Sequence, residues 1–170
     1  MPGKKLTPVK KQAIRNLLSY VRQCDHGSRI HAAIEVLVAS GCLVGTLRKI
    51  DLCDLDPKEG SITLRTAEKH AIPPQEYSAS ISEACIDAIQ AYIEYERIET
   101  DGADSGALFT SPFGRVSNTT IRRSISQAAE ETIEYHTIQS GDTCSEEQRE
   151  QTRSLMPHEI RIYGLRQLHE

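Results

Sequence analysis

Residues 60–74 read GSITLRTAEKHAIPP, and this stretch decides the fold class. Ile62 and Leu64 alternate with polar neighbours, the two-residue period of a half-buried strand. The turn residues at 57–60 precede it. A second short strand is expected through Ala71 and Ile72, stopped by Pro73 and Pro74. Together they make one small hairpin whose tip carries Glu68, Lys69 and His70.

Outward from the hairpin, the apolar period is that of helices. Thr7 and Pro8 form a helix start, a hydroxyl cap followed by proline. Ile14, Leu17, Leu18 and Val21 then fall on one face. A second helix carries Ile30, Ile34, Leu37 and Val38 and ends near Gly41, and one or two further turns are expected over 44–50. After the hairpin, SISE at 80–83 has the capping-box pattern and opens a helix with Cys85, Ile89, Tyr92 and Ile93 inward. Leu108 and Phe109 read as a short strand-like piece. Asn118 caps a helix that faces Ile121, Ile125 and Ala128 inward. Residues 139–155 are almost without apolar side chains and are expected to be an exposed, flexible loop. Pro157 opens a last helix. The expectation is a single α+β domain over residues 1–170, mostly helical, with one small β-hairpin.

Composition narrows the function. The chain has 170 residues, 38% hydrophobic and 26% charged, enough for one core and unlike a disordered or collagenous chain. No run of about 20 apolar residues is present, so no membrane helix is expected. The lysines of the N-terminus are not followed by an apolar stretch, so no secretory signal is expected. The five cysteines are scattered without a CxxC pair, which argues against a disulfide framework or a zinc site and for a reducing cytoplasm. No cofactor is indicated: Walker, GxGxxG and GxSxG patterns are absent. The formal charge of −4 is uneven: residues 1–50 carry +7, residues 51–139 carry −9 and residues 140–170 carry −2. One end can meet a polyanion, while the middle repels one unless its acids face away.

Several cations sit where an anion site is expected. His158 and Arg161 are spaced i, i+3, so one helix face points both at one anion. HEIR is not the zinc-protease HExxH, because Ile162 stands at the fifth position. Tyr163 and Arg166 repeat that spacing, although a tyrosine there more often packs its ring. Arg122 and Arg123 lie in the first turns after Asn118. Lys69 at a hairpin tip has the reach to protonate a leaving oxygen. Taken singly, each of these also reads as an ordinary solvated face.

Taken in order, the segments resemble the catalytic domain of the tyrosine recombinase, or phage integrase, family. KLTPVKKQAIRNLL resembles the family's first helix. ASGCLVGTLRKIDLCDLD resembles the first box and its acidic end, GSITLRTAEKHAIPP the following hairpin, ALFTSPFGRVSNTTIRRSISQAAEE the stretch before the second box, and MPHEIR the second box. The resemblance implies DNA integration and recombination through a covalent phosphotyrosine. Two arginines and a histidine hold the phosphate oxygens, and a hairpin lysine protonates the leaving oxygen. Carried over residue by residue, His158 and Arg161 match the second box. Lys69 matches the hairpin lysine, with Arg65 as its rival. The first-box arginine falls at Leu43, and Arg48 lies five residues on.

The nucleophilic tyrosine is expected beyond Arg161, in a C-terminal segment that these 170 residues do not carry, and Tyr163 stands close to Arg161 in sequence. The resemblance therefore implies a domain that binds double-stranded DNA and is catalytically incompetent alone. Its phosphate contacts would include Arg48, Lys49, Arg65, Arg122 and Arg123, with Lys4, Lys5, Lys10 and Lys11. Three alternatives stand beside it. One is an active recombinase that uses Tyr163, or a tyrosine donated by a partner chain. Another is a protein-interaction remnant. The third is a helix-turn-helix regulator with its recognition helix after Asn118. Without a covering segment, apolar surface at Ile160, Ile162 and Leu165 is expected to be exposed and to favour self-association.

Overall fold

The first helix, α1 (Pro8–Cys24), starts where Thr7 Oγ1 accepts the Lys10 amide at 3.2 Å. It buries Ala13, Ile14, Leu17, Leu18 and Val21, the expected stripe. In this computed structural model, which describes residues 5–66, 75–141 and 144–168, α2 (Arg29–Ser40) follows and forms the centre of the core. It is buried nearly all round, from His31 to Leu37, because α1, α4 and α7 pack on it from different sides. Gly41 ends it in the left-handed region at φ 66°.

Next come the single turn α3 (Val44–Leu47), a short 3₁₀ turn, and a three-stranded antiparallel sheet of β1 (Leu55–Asp56), β2 (Ser61–Arg65) and β3 (Glu76–Ser80). Ile62 and Leu64 point into the core from β2, as their alternation predicts. The described return strand lies after the two prolines, with Leu64 opposite Tyr77 and Ile62 opposite Ala79. Its sequence, EYSAS, is almost wholly exposed, so no apolar alternation announces it. The expected strand at Ala71 and Ile72 and the tip with Lys69 lie outside the described residues.

The helix α4 (Glu83–Tyr95) is capped by Ser82, whose Oγ accepts the Cys85 amide at 3.2 Å; Ser80 instead ends β3. A two-stranded hairpin, β4 (Thr110–Ser111) with β5 (Gly114–Arg115), follows the buried Leu108 and Phe109. The helix α5 (Asn118–Ser140) is capped by Ser117 rather than Asn118.

Two expectations need correction. Residues 139–155 are not one loop: α5 runs to Ser140 and α6 (Glu146–Arg153) forms within the segment. Ser145 caps α6, and Arg153 reaches Glu130 of α5 at 3.0 Å. Only Thr152 of this helix is buried, so an apolar period could not reveal it. The last helix, α7 (Pro157–Gln167), is also not left bare: Ile160 is fully buried, and Ile162 and Leu165 are half-buried. Leu168, by contrast, is 64% exposed. The described residues have the expected α+β class, mainly helical, but with a three-stranded sheet and a separate two-stranded hairpin in place of the single expected hairpin. No described helix is long and apolar enough to cross a membrane.

Candidate anion-binding site

A close helix crossing builds one wall of the site. At Gly164 of α7 a Cβ would stand 2.0 Å from the Val38 carbonyl oxygen, so only glycine lets α7 press its backbone onto α2. This contact brings the first turns of α7 to the end of α2. Arg161 donates from Nε to the Gly41 carbonyl oxygen, at the C-terminal end of α2 where the helix dipole favours a cation. Its two terminal nitrogens make no hydrogen bond to the described residues. His158, one turn earlier on the same face, is exposed. At the start of α7, Glu159 Oε2 accepts the Met156 amide at 3.0 Å and the Lys10 ammonium at 3.1 Å. Lys10 also donates to Ser154, so it fastens α1 to α7 and is not a free phosphate contact.

The opposite wall comes from α3 and α5. Arg48 donates from Nε to the Val116 carbonyl at 3.1 Å. Arg115 donates to the carbonyl of Arg48 at 2.8 Å and to Asp51 Oδ1 at 2.6 Å. These bonds clamp the end of α3 to the entry of α5. Ile121 and Ile125 turn into the core, which leaves Arg122 exposed on the flank that faces α3.

Between the walls is a pocket of about 480 Å³. Leu43 and Val44 from the entry of α3, Arg122 from α5, and Pro157, His158 and Arg161 from α7 line it. Its lining has two guanidinium groups and an imidazole but no carboxylate. Such a pocket suits an anion that carries an apolar neighbour. Burial pushes the Cys42 thiol up, with the Ser40 hydroxyl and the Arg161 charge pulling the other way. Burial also raises the Tyr77 phenol, and Arg161 partly offsets that shift. Tyr77 of β3 therefore feels the charge of this site although no pattern in the sequence marks it.

The structure brings His158, Arg161 and Arg122 into one lining, together with Leu43. It separates the rest. Arg65 is not a free cation: it forks onto Asp54, with one nitrogen 2.5 Å from Oδ2 and another 2.8 Å from Oδ1, and reaches Glu76 at 2.9 Å. Arg48 is half-buried and engaged with Val116. Lys49 and Arg123 are exposed but do not line the pocket, and Lys69 and Lys4 lie outside the described residues. Tyr163 is 7% exposed and lines a different cavity with Arg15 and Arg22, so it does not face His158 and Arg161. Arg166 is half-buried and also stands outside the lining. Among the described residues no three His, Cys, Asp or Glu side chains gather as a metal centre needs.

No protein-family model matches the chain. No curated protein matches it either. Solved structures do. The XerA recombinase superposes with a TM-score of 0.61 at 20% identity, over 92% of this chain and 47% of that one. The Tn1549 transposon integrase in complex with transposon right end DNA gives 0.63 at 15% identity, over 99% and 54%. A lambda integrase dimer bound to a COC′ core site gives 0.53 at 13% identity, over 96% and 51%. The chain thus spans about half the length of the structures it matches, and its fold is that of the tyrosine-recombinase catalytic domain.

Proposed function

We propose that this chain is a DNA-binding, recombinase-like domain that holds a backbone phosphate but does not cleave DNA alone. The observation that carries the reading is the convergence of His158 and Arg161, with Arg122, on one carboxylate-free pocket. The fold likeness to integrases solved with DNA supports the same reading. In that pocket Arg161 would donate its terminal nitrogens to non-bridging phosphate oxygens, with its Nε held by Gly41. His158 would supply a further donor. A fixed set of donors around a phosphate stabilises charge that develops in its displacement. The aliphatic side chain of Leu43 lacks the donor that the resemblance places there, and Tyr163 faces away. Both support binding without strand cleavage by this chain.

Fluorescence anisotropy of a labelled random duplex tests the reading. Each phosphate neutralised predicts a loss of affinity of roughly 3.5-fold over a fourfold rise in salt. A nicked suicide duplex incubated with the chain is expected to give no detergent-resistant adduct. Absence of binding at both low and moderate salt overturns the DNA reading. A covalent adduct overturns the incompetence.

A further inference from the structure

Arg122 does more than add charge to a surface. Its neighbour Arg123 is also exposed, yet only Arg122 lines the pocket with Leu43, His158 and Arg161. No carboxylate among the described residues forms an ion pair with it. Leu43, at 48% exposure, lines the pocket with no polar atom on its side chain. The clamp made by Arg48 and Arg115 fixes the entry of α5 against α3. Arg122 of α5 and Leu43 therefore line one pocket, which a longer, charged side chain at position 43 would share. Two guanidinium groups with no carboxylate in the same lining leave a positive charge that an anion would balance.

We infer that Arg122 supplies, from α5, the second guanidinium that this phosphate site lacks at Leu43. A phosphodiester oxygen is held between Arg122 and Arg161, with His158 as the third donor. The inference rests on the DNA-binding reading above for its natural ligand, but the pocket can be probed without DNA.

The test is a double-mutant cycle on duplex affinity at low salt. Arg122→Ala is expected to weaken binding about tenfold, the loss of one charge-assisted contact. Leu43→Arg in that background is expected to restore most of the affinity, whereas in the otherwise unchanged chain it shifts affinity less than about twofold, because the place is already filled. Arg123→Ala is not rescued by it. All three positions are exposed, so thermal unfolding is expected to match that of the unchanged chain. If Leu43→Arg strengthens binding by the same factor with and without Arg122, or equally rescues Arg123→Ala, the inference is overturned.

Should the unchanged chain bind no duplex, the DNA reading fails by itself. Inorganic phosphate is then titrated while the Val44 and Gly45 amide resonances are followed by NMR. Shifts that vanish in Arg122→Ala and return with Leu43→Arg sustain the assignment of Arg122. No shift in the unchanged chain overturns it.

Discussion

Five arginines of this molecule fall into two groups, and the division teaches more than their number. Near the sheet, Arg48, Arg65 and Arg115 are each tied to backbone carbonyls or to carboxylates. They neutralise Asp51, Asp54 and Glu76, part of the acidic middle of the chain. Across the helical side, Arg122 and Arg161 open on a pocket whose lining holds no acid. A cation is available to a ligand only where the fold leaves some of its donors unpaired and no acid beside it, and sequence charge alone cannot express that.

The seam that makes the second group possible is the place to break the comparison most severely. Gly164→Ala puts a methyl carbon 2.0 Å from the Val38 carbonyl oxygen, and both atoms sit on backbone that cannot swing aside. The two helices must separate, and Arg161 moves with α7. A loss of about 3 kcal/mol or more is expected, read as a lower urea midpoint, together with weaker duplex binding. Unchanged stability would mean that the crossing is looser than its geometry.

Next in size is a pair that owes nothing to ligand binding. Glu35 of α2 is 3% exposed and receives Arg22 at 2.5 and 3.1 Å. His31 Nε2 lies 3.4 Å away, near enough for charge attraction but outside good hydrogen-bond geometry. Burial pushes this carboxyl up, yet His31 and Arg22 outweigh it and hold it at about 2, below the ordinary 4.5. Its stabilising effect is therefore complete above the unfolded value and fades as pH falls from 4.5 toward about 2. Glu35→Gln is expected to cost about 2 kcal/mol at neutral pH, since Arg22 is half in solvent, and to flatten the stability curve in that acid window. Urea unfolding at a series of pH values checks both.

The α+β class, α1, α2 and the Ile62–Leu64 strand were legible because each has a buried face with a clean period. His158 and Arg161 were legible because helix spacing alone puts i and i+3 together. What escaped notice lacks such a signal. Strand β3 is exposed on nearly every residue, and α6 turns only Thr152 inward. Arg122 is expected as an anion contact together with Arg123, and only the meeting of α3 and α5 tells the two apart. Arg65 reads as a free cation until β2 sets it beside Asp54, a residue 11 positions earlier. Long-range pairing decided these cases, and no local pattern contains it.

The smallest expected effect sharpens the comparison best. Arg65→Gln removes a full charge, as Arg161→Gln does, and lies in the same domain. If charge number governed duplex binding, the two would weaken it alike. If availability governs it, Arg161→Gln weakens binding about tenfold and lowers the salt slope by about one contact. Arg65→Gln then changes affinity by less than about twofold, because its guanidinium already lies on Asp54 and Glu76. Its cost appears instead in stability, where Asp54 loses its fork in a site only 6% exposed. Anisotropy and urea unfolding on the same two preparations separate the cases. Equal losses of affinity would show that the hairpin side meets DNA after all, and that its ion pairs open to do so.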